Sequence, residues 1–144
     1  MLQINSPAFA AYALTCIALC GNLIFLWAYS GATRARVKST PNEEDVKPFG
    51  ATLSDVDPPE IARVLRAHAN AQAAILPFLA LGLVYVLAGG PHDPAVAYFA
   101  VFTAARWLHS WAYLNGRQPL RSIIFLVGTL PLFALAGHIA WLVL

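Results

Sequence analysis

Arginine, histidine, tyrosine, serine and asparagine recur at helical spacing through the second half of the chain. Arg63, Arg66 and Asn70 are three and four apart, Arg106, His109, Ser110, Tyr113 and Arg117 repeat that spacing, and Arg121 and Ser122 follow a proline. Residues three and four apart share one face of an α-helix, so the first two sets each predict a polar stripe. Arg121 and Ser122 fall in a first helical turn, where unpaired backbone N–H groups and the positive helix end favour an anion. Three helices thus aim cations and hydroxyls at one level, as a site for a negatively charged ligand requires. Arg63 and Arg117, nearest the ends, read as snorkelling anchors.

The elements that carry these residues belong in a bilayer. Of 144 residues 59% are hydrophobic and 11% charged, with mean hydropathy +0.63, against roughly 25% charged in an ordinary soluble domain. The net charge of +2 comes with no basic stripe interleaved with aromatics, which sets nucleic-acid binding aside. Cys16 and Cys20 share one face of an apolar helix as packing residues. Residues 1–7 contain no Lys or Arg, so the first apolar stretch reads as a retained span and not as a cleaved signal.

Four spans are expected, at about residues 8–32, 58–88, 94–115 and 119–144, in a single domain over 1–144 with a polar loop at 33–57. Thr15 and Asn22 can be satisfied between helices. Asp57-Pro58-Pro59-Glu60 predicts a helix start with Asp57 as cap and Pro58 first in the helix. Pro77 and Pro131 lie inside spans, where kinks are expected. With short second and third joints, the fold class is an all-α integral membrane protein built as an antiparallel four-transmembrane-helix bundle. Of the nine basic residues only Arg106 lies deep inside a span, and the rest cluster in or beside the first and third joints. Both of these joints are therefore expected in the cytoplasm and both termini outside.

Arg106 lies about nine residues, or ~14 Å, from the inner end of its span. Such a charge costs at least ~2.5–3.5 kcal/mol at membrane depth. All seven acidic residues lie outside the spans or at their ends. The partner of Arg106 is then a folded-in loop, backbone carbonyls with water, or an anionic ligand.

In order along the chain, Arg63-Val64-Leu65-Arg66-Ala67-His68-Ala69-Asn70, Pro77-Phe78, His109-Ser110-Trp111-Ala112-Tyr113-Leu114 and Pro119-Leu120-Arg121-Ser122 resemble the MAPEG family, the membrane-associated proteins in eicosanoid and glutathione metabolism. The likeness is strongest to the prostaglandin E synthase branch and extends to Arg34-x-Arg36 and the segment 42–45. The resemblance implies a homotrimer that binds glutathione between neighbouring subunits near the cytoplasmic face. It implies that Arg66, Asn70, Arg106, His109 and Tyr113 line the site, with Arg34 reaching it from the first span of a neighbour, and that Arg121 and Ser122 lie beside the thiol as the catalytic pair. A thiol of pKa about 8.5 is only a few per cent thiolate at pH 7, and bringing it to ~7 takes ~2 kcal/mol. One or two charge-assisted bonds to sulfur supply that.

The resemblance further implies a transferase, isomerase or peroxidase acting on a lipophilic electrophile, in the inner membrane of a bacterium or the endoplasmic reticulum of a eukaryote. Three departures from the family pattern stand out: Ala73 replaces its Glu, Ala69 replaces the Arg of the branch, and the joint before Arg121 is one residue shorter. Together they imply weak glutathione affinity or a different thiol cofactor, and the first favours an alternative, a non-catalytic membrane protein on the same scaffold that binds an anionic lipid or a partner. His68 reads as a packing residue, His92 and His138 are too scattered for a metal, and Trp107, Trp111 and Trp141 read as packing or interfacial belt residues.

Overall fold

A computed structural model describes residues 6–144. The first helix, α1 (Pro7–Val37), begins where the sequence provides both start signals. Ser6 accepts a hydrogen bond from the Phe9 amide at 3.2 Å, and Pro7 fills the first position, where a missing N–H costs nothing. The helix ends at Lys38, whose left-handed backbone turns the chain and whose N–H bonds the Arg34 carbonyl. Thus α1 continues about a turn beyond the expected limit of the first span.

The segment expected as a loop has its own structure. A two-residue strand β1 (Ser39–Thr40), a short helix α2 (Glu43–Phe49) and a second strand β2 (Thr52–Leu53) follow in order. The strands pair in parallel, Ser39 opposite Thr52 and Thr40 opposite Leu53. The Thr40-Pro41-Asn42 breaker does its predicted work: Thr40 Oγ1 and Asn42 Nδ2 both donate to Asp45 Oδ2, at 3.3 and 3.0 Å.

Next come α3 (Pro59–Leu87), α4 (His92–Leu114) and α5 (Leu120–Val143). The start of α3 corrects the sequence expectation by one residue. Pro58 takes the cap position, Pro59 the first turn, and Asp57 is left outside. Asp57 instead forms an ion pair with Arg34, Oδ1 to Nη1 at 2.7 Å, which ties the end of α1 to the entrance of α3. The competing charge explains why the carboxylate leaves the cap. Pro77 and Pro131 are accommodated within α3 and α5, which run through them. The two residues that bring α4 forward from Pro94 to His92 follow a break at Pro91.

Helices α3 and α4 lie against each other, and each touches both α1 and α5, which flank this central pair and scarcely meet. The core between them is aromatic. Phe78 of α3 stacks on Phe102 of α4 with centroids 3.6 Å apart and meets Phe99 edge-on at 6.0 Å. Tyr12 of α1 closes over Phe99 and donates to the Leu79 carbonyl at 3.1 Å. At the far end Tyr98 of α4 meets His138 of α5 at 3.2 Å, beside the buried ring of Tyr85.

Three helices, α1, α3 and α5, are long and apolar enough to cross a membrane, yet only 22%, 33% and 22% of their most apolar windows are buried within the chain. Their outer faces carry Leu14, Ile17, Trp27, Leu76, Leu130, Phe133 and Trp141, all exposed. An apolar surface of that extent belongs in lipid or against other subunits. Trp107 and Trp111 are likewise half exposed, and the Trp107 indole donates to the Ala18 carbonyl at 3.2 Å. The free thiols Cys16 and Cys20 sit on α1.

Asn22 of α1 and Ser110 of α4 are both buried and exchange two hydrogen bonds, Nδ2 to Oγ at 3.1 Å and Oγ to Oδ1 at 3.2 Å. Ser110 therefore faces α1 and is not in the polar stripe where its spacing from Arg106 had put it. We expect Ser110→Ala to lower stability by about 1–3 kcal/mol, because the Asn22 amide is left unsatisfied. The Asn22→Leu/Ser110→Ala double variant should recover most of that loss in detergent-solubilised thermal unfolding.

Candidate functional site

The N-terminal half of α3, the C-terminal end of α4 and the N-terminal end of α5 border an open cavity of about 410 Å³, lined by Asn70, His109, Tyr113, Arg121, Ser122, Phe125 and Leu126. That volume lies within the range of small-molecule sites. Each helix contributes at a level fixed by its register: Asn70 from the second turn-pair of α3, His109 and Tyr113 one turn apart on α4, Arg121 and Ser122 from the first turn of α5 and Phe125 one turn further on. No carboxylate lines the cavity.

Arg121 lies over the Tyr113 ring with its guanidinium carbon 4.5 Å from the centroid. His109 is 4% exposed, edge-on to Tyr113 at 5.7 Å and tilted against Phe125 at 6.1 Å. Asn70 Oδ1 is buried and accepts no hydrogen bond among the described residues. Ser122 is exposed to the cavity mouth and touches Gln118 across 3.1 Å. The site thus presents one guanidinium, the hydroxyls of Ser122 and Tyr113, one free amide oxygen and an imidazole to a shared space.

Arg106 lies beneath this cavity. It is 2% exposed, and its guanidinium carbon sits over two rings, Phe102 at 5.4 Å and Phe125 at 5.8 Å. Neither a folded-in loop nor any carboxylate reaches it, and its Nε and Nη1 donate to no described residue. The aromatic faces are a solution the sequence reading did not consider. Each contributes about 2 kcal/mol when desolvated, which offsets the depth penalty. Phe102 and Arg106 are four apart on α4, so the spacing that puts one above the other was present in the sequence.

The remaining expected residues lie elsewhere in the single chain. Arg66 is exposed on α3, one turn before Asn70, and does not line the cavity. Arg34, held by Asp57, lines a separate cavity of about 250 Å³ together with Lys38, Thr40, Asp45 and Phe49. Arg63 covers the joint between α4 and α5, where a Cβ on Gly116 would come within 2.8 Å of its Nη1. Arg117 is exposed on the same joint. Phe125, Leu126 and Gln118 are the neighbours the sequence reading missed. The four-residue steps from Arg121 to Phe125 and from Gln118 to Ser122 were the available signal. Among the described residues no cluster of three or more metal-ligating side chains occurs.

The long apolar helices define a multi-pass membrane protein. The MAPEG family model matches residues 12–141. The chain therefore belongs to the MAPEG family. It is 35% identical over 141 residues to prostaglandin E synthase of Macaca fascicularis, covering 97% of this chain and 93% of that one. The corresponding enzyme of Equus caballus is 39% identical over 137 residues, covering 90% and 88%. Microsomal glutathione S-transferase 1 of Rattus norvegicus is 36% identical over 126 residues, covering 84% and 79%. Within the family the chain stands close to the prostaglandin E synthase branch.

Gly128 of α5 leaves the room that Arg106 occupies: a Cβ there would lie 2.9 Å from Nη2 and 3.0 Å from the Ala105 Cβ. Gly128→Ala is therefore expected to destabilise by about 1–3 kcal/mol through overpacking. Gly137→Ala on the same helix, where a Cβ meets nothing within 4 Å, should not lower the unfolding midpoint in detergent.

Proposed function

We propose that the chain is a glutathione-dependent membrane enzyme that activates the glutathione thiol for attack on a lipophilic electrophile. The observation that carries this reading is the acid-free cavity where Asn70, His109, Tyr113, Arg121 and Ser122 converge. The residues fit the ligand: the Arg121 guanidinium can take a carboxylate, the buried Asn70 oxygen is free to accept from an ammonium or amide N–H, and the unpaired donors of Arg106 lie below.

Glutathione would supply the nucleophilic sulfur. Ser122 donates its hydroxyl hydrogen toward that position, and Arg121, held on the Tyr113 face, adds positive potential beside it. Two such charge-assisted contacts at ~1.5–3 kcal/mol each exceed the ~2 kcal/mol that thiolate formation at pH 7 requires. Phe125 and Leu126 form the apolar wall along which a hydrophobic electrophile arrives from the bilayer.

In the proposed assembly α1, α3, α4 and α5 are four antiparallel spans, both termini face outward and three subunits form a homotrimer. The separate cavity holding Arg34, Lys38 and Asp45 supports the trimer, because the same chain does not bring Arg34 to the first cavity. Arg34 of one copy and Arg66 of another would then complete the ligand shell. The compartment follows the source, a bacterial inner membrane or the endoplasmic reticulum. Ala73 supports a second reading, a non-catalytic binder of anionic lipid on this scaffold, since no carboxylate faces a ligand ammonium from that turn.

Glutathione added to the purified protein should produce thiolate ultraviolet absorption at pH 7. Arg121→Ala or Ser122→Ala should reduce that absorption and the conjugation of chlorodinitrobenzene about tenfold or more. Protein that retains anionic lipid through purification yet gives no glutathione-dependent absorption would establish the second reading instead.

A further inference from the structure

Gln118 precedes the proline that opens α5, and its side chain folds back over the first turn of that helix between Arg121 and Ser122. The terminal amide has two orientations. In one, its oxygen accepts from Ser122 Oγ at 3.1 Å, but its nitrogen then faces the guanidinium nitrogens of Arg121, donor against donor. In the other, the oxygen accepts from Arg121 Nη2 at 2.6 Å and Nε at 3.2 Å, and the nitrogen donates to Ser122 Oγ at 3.1 Å. Only the second satisfies both neighbours, and hydrogen-bond complementarity decides amide orientation.

That orientation has a chemical consequence for Ser122. A hydroxyl carries one proton and two acceptor lone pairs. With the Gln118 amide occupying a lone pair, the Ser122 proton is not spent on Gln118 and can point to the cavity. The same amide oxygen holds Arg121 from one side while the Tyr113 ring holds it from the other.

We propose that Gln118 is a positioning residue for thiol activation: its amide fixes Arg121 and keeps the Ser122 hydroxyl as a donor toward the ligand sulfur. This rests on the glutathione reading above. An amide is required because it accepts on one side and donates on the other; a carboxylate of the same length only accepts.

The test compares Gln118→Glu and Gln118→Leu with the unaltered protein at saturating glutathione, reading thiolate absorption across pH, glutathione affinity and kcat with chlorodinitrobenzene. In Gln118→Glu one oxygen holds Arg121 and the other takes the Ser122 proton, so the thiolate fraction at pH 7 should fall about tenfold. The acid limb of the pH–rate profile should move to higher pH, with glutathione affinity changing less than kcat. Gln118→Leu removes the clamp but leaves Ser122 free to donate, so its loss should be smaller, about threefold.

A merely structural role gives the opposite order, since Glu is isosteric, suits Arg121 better and would behave like the unaltered protein while Leu would suffer most. That order, or an unchanged thiolate fraction in Gln118→Glu, overturns the inference while leaving the glutathione reading intact. Absence of thiolate absorption in the unaltered protein overturns both.

Discussion

A guanidinium without a carboxylate, buried in the middle of a membrane protein, is the constraint around which the rest is arranged. Arg106 is too costly to leave unsupported, and the molecule supports it with ring faces from two helices. That choice fixes the register of α4 against α5, sets the size of residue 128 and places the core stack of Phe78 on Phe102 directly beside the charge. It also accounts for the character of α4. This helix touches all three of its long neighbours and buries Arg106, His109 and Ser110 among them, while α1, α3 and α5 are the helices long and apolar enough to cross a membrane.

Acidic residues are kept to the margins, and their placement shapes the electrostatics of the end that holds the cavity. Asp57 is committed to Arg34 and Asp45 to Thr40 and Asn42, so neither competes within the cavity beneath Arg121. A guanidinium with no carboxylate beside it is poorly satisfied alone, and a ligand that bound there would stabilise the fold. Family membership gives that coupling a chemical context, since prostaglandin E synthases and a microsomal glutathione S-transferase are among the similar proteins.

Much of this was legible in the sequence because membrane helices announce themselves through long apolar runs and their punctuation. The spans expected at 58–88, 94–115 and 119–144 have boundaries that the structure keeps within a residue or two. The convergence of Asn70, His109, Tyr113 and Arg121-Ser122 followed from i, i+3 and i+4 spacing. What escaped was tertiary. Ser110 shares the spacing of its neighbours yet turns to Asn22, because one residue of offset, about 100° around the helix, suffices to change partners. Asp57 had every local reason to cap α3, and only the approach of Arg34 from 23 residues earlier in the chain removes it. The short elements between β1 and β2 are too brief for any periodicity to reveal.

Phe125 forms part of the cavity wall and, through the same ring, one of the two faces beneath Arg106. Molecular capacity and charge accommodation are therefore written into a single side chain. Trimming it to admit bulkier compounds would strip the guanidinium of half its shelter, so broader scope comes at the expense of robustness. Reshaping this chamber without unsettling its foundation means starting from Leu126, which lines the wall but has no part in the aromatic cradle.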